Sequence, residues 1–296
     1  MPLAFSPLHP LFAARAEGID LRDPLPAATA REIAAAMDRY AVLVFREQDI
    51  SQDEQLAFTA AFGPMDPGRH LAVRQHRRVR PEFADVSNLD EAGHVADRNH
   101  RRILSNMGTR LWHTDSSYKR PAAKSSLLYC SAIPDWGGET EFADMRAAYD
   151  ALPERLRDEA EGRSAEHYVH HSRATLGFAP SPEEIAGALP PVTWPLVRSH
   201  AGSGRKLLYI GAHATHVVGL SLPEGRVLLS DLLEHATQRQ FVYRHEWRPG
   251  DLVMWDNRAL LHRGRRYDLA QPRDMRRSTV EDDPPARPPR PEFSVH

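Results

Sequence analysis

The 296-residue chain has one cysteine, no apolar run as long as the roughly 18 residues of a membrane-crossing helix, and almost no net charge. Each scarcity excludes something. A lone thiol, Cys130, forms no internal disulfide, and its place in the run Leu127-Leu128-Tyr129-Cys130 marks it as a small buried hydrophobe. The first residues lack the basic-then-apolar order of a secretory signal, so the expectation is a cytoplasmic protein with no membrane partner. With 38 basic and 40 acidic residues the formal charge is -2, which gives no overall attraction to nucleic acid or anionic lipid. Any anion must be bound locally.

What is present is enough apolar sequence, 41% of the chain, to bury one large core. We therefore expect a single domain over 1–281, followed by a tail, 282–296, whose five prolines and few apolar residues predict disorder on the surface. Composition leaves the oligomeric state open, a homo-oligomer included. Near the start, Ile33, Met37 and Tyr40 recur at helical spacing within 28–40, and 41–45 is a β-prone apolar run. Ser51-x-x-Glu54 has the capping-box form before a helix over 54–62. From 68 to 102 the sequence is rich in Arg, His and Asp without period, apart from a strand at 83–87. It reads as a long mobile loop, either a lid or a solvated linker.

Farther on, β-type runs recur at 126–133, 166–170, 192–199, 206–210, 241–247, 252–255 and 277–280. Turn sequences such as Trp136-Gly137-Gly138, Gly202-Ser203-Gly204 and Arg248-Pro249-Gly250-Asp251 separate several of them. Helices interrupt this series without alternating with it. One covers 145–162 with a break at Pro153, and another is capped by Ser221-x-x-Glu224 and tolerates Pro223 in its first turn. The fold class implied is mainly β with flanking helices, an antiparallel sandwich or barrel.

Trp112-His113-Thr114-Asp115 sets two metal-ligating side chains two residues apart, and in extended chain alternate side chains share a side. Alone, this pattern is weak, since it needs only two common residue types, and a surface segment is the simpler reading. A third ligand is available at His262, in Trp255-Asp256-Asn257-Arg258-Ala259-Leu260-Leu261-His262-Arg263-Gly264. Two imidazoles and a carboxylate on one face of an ion leave open positions, the mark of non-haem Fe(II) oxygenases, whereas zinc prefers a tetrahedral site. His167, His170 and His171 form another cluster, read as surface or packing residues.

The H-T-D and the distal W-D-N-R-x-x-x-H-R, with the arginines that follow, resemble the taurine/2,4-dichlorophenoxyacetate dioxygenase family. Long segments carry the same likeness: Pro7-Leu8-His9-Pro10-Leu11-Phe12-Ala13-Ala14, Asp144-Met145-Arg146-Ala147-Ala148-Tyr149-Asp150-Ala151-Leu152-Pro153 and Trp194-Pro195-Leu196-Val197-Arg198-Ser199-His200. The resemblance implies a double-stranded β-helix (jelly-roll) core, and Fe(II) held by His113, Asp115 and His262. It implies 2-oxoglutarate and O2 as co-substrates, with ascorbate stimulating. By position, Arg273 and Thr140 match residues that take the far carboxylate of 2-oxoglutarate, and Trp255 matches a co-substrate contact, although it also reads as a core aromatic. Arg277, His200 and His216 match substrate-binding positions. Arg69, His70, Arg74 and His94 stand where the resemblance fails, in the loop over 68–102.

The expected reaction hydroxylates the carbon next to the ether oxygen of an aryloxyalkanoate such as 2,4-dichlorophenoxyacetate, yielding a phenol, glyoxylate, succinate and CO2. The same chemistry on an alkylsulfonate or another small acid is the nearer alternative, because an arginine accepts carboxylate and sulfonate alike. A zinc hydrolase using the same three ligands, or a sandwich that only binds a small anion, is the more distant one.

Overall fold

The computed structural model describes residues 2–66 and 78–282. At the N-terminal margin β1 (Ala4–Pro7) and β2 (Ala14–Glu17) form a hairpin, and helix α1 (Ala27–Tyr40) buries Ile33, Ala36 and Met37. It stops at Ala41, whose left-handed backbone (φ 57°) turns the chain directly into β3 (Val42–Phe45), parallel to β2. Helix α2 (Gln52–Ala60) opens with the expected capping box: Ser51 Oγ accepts from the Glu54 N–H and the Glu54 carboxylate from the Ser51 N–H. The short β4 (Ala84–Asp85) and α3 (Arg101–Asn106) precede β5 (Ala123–Ala132) and β6 (Thr140–Asp144).

Pro153 divides the next helical stretch into α4 (Met145–Asp150) and α5 (Glu154–Ala160), as its missing N–H requires. Then come β7 (Ser164–His167), α6 (His171–Ala174), α7 (Pro182–Ala186), β8 (Val192–Pro195), β9 (Val197–Ser199), β10 (Lys206–Leu208) and β11 (Ala214–Val217). Helix α8 (Leu222–Ala236) begins at the Ser221 capping box, and the chain closes through β12 (Val242–His245), β13 (Leu252–Asp256), β14 (Leu260–Gly264) and β15 (Asp274–Glu281).

Two sheets make the core. The larger runs β1-β2-β3-β13-β5-β15-β4, and the smaller, β12-β6-β14, lies across from it. Phe142 of the small sheet packs with Val44, Leu128, Val253, Trp255 and Met275 of the large one in a single apolar cluster. This is a double-stranded β-helix with helices on its margins. A second cluster lies under α1 and α2 on the outer face of the large sheet, and a third gathers Leu207, Leu228 and Leu232 around α4 and α8. Cys130 is fully buried, and burial pushes its thiol up to about 12, so it is an inert packing group. No helix among the described residues is long and apolar enough to cross a membrane.

The structure corrects several element boundaries. The apolar run 192–199 is two strands, because the chain changes partner at Leu196: its N–H still donates to Arg163 O beside β7, while its carbonyl accepts from the Tyr209 N–H beyond β10; β8 pairs with β7, and β9 with β10. The run 166–170 ends as a strand at His167. The expected loop over 68–102 is in part a fixed wall: Ser87 and Asn88 are buried, and Asn88 Nδ2 donates to Leu269 O and Gln271 O. Its residues 68–77, with Arg69, His70 and Arg74, lie outside the described residues, as does the tail from 283.

Candidate metal centre

His113 and His262 lie opposite one another in a two-residue antiparallel bridge, each N–H donating to the other's carbonyl at 3.0 and 2.8 Å. That pairing puts both imidazoles on one side, ring centroids 4.2 Å apart. Two residues beyond His113, the chain places Asp115 beneath them, with Oδ1 3.8 Å from His113 Nε2 and Oδ2 3.8 Å from His262 Nε2. The backbone then reverses at Ser116, a left-handed residue (φ 57°). The three donor atoms lie within 4.8 Å of one another and all three residues are buried. Nitrogen and oxygen ligands stand about 2.0–2.2 Å from a small divalent ion, so the set closes around one with shifts of tenths of an ångström.

Protonation suits metal binding. Burial drives both imidazoles below the ordinary histidine range, His262 far below, and leaves them neutral. The His113 Nδ1 lies 2.8 Å from Leu111 O, which assigns the proton to Nδ1 and the lone pair to Nε2. Burial alone would raise the Asp115 carboxyl; the Arg277 guanidinium, the two imidazoles and Ser126 outweigh it and hold the group well below the usual carboxylate range.

A network that the pattern of the sequence did not reveal fixes the Asp115 carboxylate. Ser126 Oγ donates to Oδ2 at 2.7 Å, and Arg277 Nη1 to Oδ1 at 2.6 Å. Asn257 Nδ2 donates to Ser126 Oγ, while its Oδ1 accepts from the Asp115 N–H and from Trp255 Nε1. Thr114 Oγ1 reaches Asn257 O at 2.5 Å, completing the tie between the two halves of the site. Trp255 lies with its ring 4.8 Å from that of His262, so it walls the site and braces Asn257 at once.

Arg273 enters from the start of β15. Its N–H donates to Asn88 Oδ1, its Nη1 to Val86 O, and its buried Nε has no partner. Burial lowers its affinity for a proton, and no carboxylate offsets that. Thr140 is buried at the head of β6, paired with Gly264, two residues beyond His262; its hydroxyl accepts from Trp247 Nε1 at 3.0 Å. Gly138 lies beside Arg273 and needs its bare Cα: at φ 78°, a Cβ there would stand 2.8 Å from Ile133 Cδ1 and 3.6 Å from Arg273 Nε. Arg277, four residues on, keeps a buried Nε without a partner beside its contact to Asp115.

The two histidines expected to bind substrate fare differently. His200 is not brought to the triad: its Nε2 is 3.0 Å from Asp256 Oδ2, and its Nδ1 accepts from the Ser203 N–H and faces the Ser203 hydroxyl. Asp256 also takes Arg258, and strand alternation turns it away from the side that Trp255 presents to His262. His216 is half-buried with its Nδ1 2.8 Å from Thr215 Oγ1. The histidine beside the triad is His213, which sequence reasoning missed. Its ring lies 6.2 Å from that of His113 and 4.9 Å from that of Tyr118, and its buried Nδ1 is unpartnered. Gly211 permits the approach, since a Cβ there would stand 2.9 Å from Leu261 Cδ2. A glycine two residues before a histidine was the one available hint. His167 is a packing residue as expected, fully buried with Nδ1 near Ser117 Oγ.

Comparison with known proteins agrees with this geometry. The profile described as "Taurine catabolism dioxygenase TauD, TfdA family" matches residues 4–279. The alpha-ketoglutarate-dependent 2,4-dichlorophenoxyacetate dioxygenase of Cupriavidus pinatubonensis is 55% identical over 96% of this chain and 99% of its own. The (S)-phenoxypropionate/alpha-ketoglutarate-dioxygenase of Sphingobium herbicidovorans is 38% identical over 94% and 95%. Among solved structures, AAD-2 in complex with Mn(II) and N-oxalylglycine superposes with a TM-score of 0.88 at 46% identity, covering 97% of this chain and all of its own.

Proposed function

The chain belongs to the taurine catabolism dioxygenase TauD, TfdA family, and on that premise we propose that it is an Fe(II)- and 2-oxoglutarate-dependent dioxygenase acting on aryloxyalkanoates such as 2,4-dichlorophenoxyacetate. His113, Asp115 and His262 hold the iron, a donor set of neutral imidazoles and one ionised carboxylate that fits a divalent ion with open positions. Bound there with 2-oxoglutarate and O2, the iron supplies the oxidising power: the co-substrate leaves as succinate and CO2, and the carbon next to the substrate's ether oxygen gains a hydroxyl.

The protein's own groups orient and exclude. Arg273 and Thr140 receive the far carboxylate of 2-oxoglutarate, the guanidinium with an unpartnered Nε and the hydroxyl from the same buried wall. Arg277 receives the acid group of the organic substrate through the edge that Asp115 leaves free. Trp255 and Phe142 keep water from the His262 side. Once hydroxylated, the substrate is a hemiacetal, which collapses without further help to a phenol and, for a phenoxyacetate, glyoxylate. His213 borders this chamber and offers a neutral imidazole to an ether or carboxylate oxygen.

The observation that carries the reading is the buried triad with Arg277 on Asp115 and a buried Arg273 four residues earlier, just before β15, each arginine with an unpaired Nε. The test adds Fe(II), ascorbate and 2-oxoglutarate in air to metal-free protein and follows succinate and phenol, with and without 2,4-dichlorophenoxyacetate. Both products rising together is the expected result. Succinate formed equally in both samples without phenol would keep the oxygenase and overturn the substrate; no succinate would overturn the oxygenase.

A further inference from the structure

Arg110 ends the 3-10 turn Met107–Arg110, two residues before Trp112. It lines, with Arg273, Tyr267 and Gly264, a narrow recess of about 30 Å³ beside the end of β14. The guanidinium of Arg110 sits 5.5 Å from the centre of the Tyr267 ring, and that of Arg273 5.3 Å from the same centre. Two cations thus share one aromatic ring. Arg110 Nη1 is buried without a hydrogen-bond partner, as is Arg273 Nε, and no ion pair engages either residue among those described. Burial, against the opposing influence of Tyr267 and helped by the like charges of Arg266 and Arg265, makes proton loss from Arg110 easier than usual. Glu141 lies 3.7 Å from Arg265, and no carboxylate among the described residues does the same for Arg110 or Arg273.

We propose that Arg110 is a second arginine for the far carboxylate of the 2-oxo dicarboxylic acid, acting with Arg273 to make the pocket select a dicarboxylate over a 2-oxo monoacid. The inference rests on the assignment of Arg273 to that carboxylate. A carboxylate has about four lone-pair positions, and one guanidinium edge fills two. Arg273 has its Nη1 committed to Val86 O, so the edge carrying Nε is what it can present, and Gly138 keeps that edge open. The Thr140 hydroxyl is engaged with Trp247 as an acceptor and has its own proton to give, and Arg110 Nη1 supplies a further donor. Tyr267 spaces the two guanidiniums, and its ring face moderates their repulsion.

The experiment measures dissociation constants of Mn(II)-loaded protein for 2-oxoglutarate and for 2-oxovalerate, which lacks the far carboxylate, by calorimetry in Arg110→Gln, Arg110→Lys and Arg273→Leu, with melting temperatures as a check on folding. A charge-assisted hydrogen bond from a partly buried arginine predicts about tenfold weaker 2-oxoglutarate binding in Arg110→Gln. The same variant should leave 2-oxovalerate within about twofold, and Arg110→Lys should recover most of the loss. Equal weakening of both acids, or none, in Arg110→Gln would overturn the proposal if Arg273→Leu still weakened 2-oxoglutarate far more than 2-oxovalerate. If Arg273→Leu also weakened both acids equally, or neither, the assignment of the pocket itself would fall.

Discussion

Each oxygen of Asp115 already has a protein partner, Ser126 on one side and Arg277 on the other, so the carboxylate arrives at the metal pre-oriented. Groups that orient metal ligands are typically worth about 10- to 100-fold in metal affinity. Ser126→Ala is therefore expected to weaken Mn(II) binding by about that much, read by calorimetric titration, while Asp115→Ala should abolish it with the fold intact. Unchanged affinity in Ser126→Ala would show that Asn257 alone suffices. Arg273→Ala is expected to raise the KM for 2-oxoglutarate and leave that for the organic acid nearly alone. The contact of Arg277 to Asp115 changes what Arg277→Ala should do: besides raising the KM for the organic acid, it should weaken metal binding, because it uncovers a buried carboxylate charge. Loss of affinity for the acid alone would mean that the Asp115 contact is incidental. His113, Asp115 and His262 were readable from spacing and likeness, whereas Ser126 and Asn257 were not. A serine in a strand and an asparagine after one are common, and only strand pairing reveals that they meet.

At the scale of elements, the segment around Asn88 has the largest effect relative to its appearance in the sequence. It looked like charged loop, yet Asn88 ties together Leu269 O, Gln271 O and the Arg273 N–H, which sets the approach of β15 to the site. Leaving these buried backbone groups unpaired in Asn88→Ala is expected to cost about 2 kcal/mol of stability and to raise the KM for 2-oxoglutarate, measured by urea unfolding and steady-state kinetics. A change in stability without a change in KM would separate the wall from the pocket. Helix starts were legible, because capping is local chemistry; Ser51 and Ser221 behave as their spacing to Glu54 and Glu224 demands. The division of 192–199 between two sheets was not, since nothing nearby in sequence says that the Leu196 carbonyl turns to Tyr209 while its N–H stays with Arg163.

For the molecule as a whole, burial of neutral histidines couples stability to acid. His167 is the clearest case: fully buried, with its pKa pushed down to about 3 chiefly by loss of solvent. A base whose folded pKa is depressed stays neutral in the fold and binds its proton only on unfolding, so its contribution is whole above the ordinary histidine value and declines as pH falls below it. The expected loss from this residue is roughly 1 kcal/mol by pH 5.5. Denaturant unfolding from pH 7.5 to 5.5 should show a shallower decline in His167→Gln than in the parent, and parallel curves would rule out the assignment. Metal should act in the opposite sense: at about 100 times its dissociation constant, Mn(II) stabilises the folded state by about 2.7 kcal/mol, an effect that Asp115→Ala should erase.

From the chain alone one could read what local chemistry decides: the capping boxes, the break at Pro153, the β-rich pattern, and a ligand pair two residues apart that any extended segment aims to one side. Likeness to a family added the third ligand and the arginines. Which histidine borders the triad, which groups hold Asp115, and that Arg110 shares a ring with Arg273 depended on contacts a hundred or more positions apart, His113 with His213, Ser126 with Asn257 and Arg110 with Tyr267. Such contacts follow from how strands register across two sheets, and hydrophobic pattern constrains which face a side chain takes without specifying which partner it meets there.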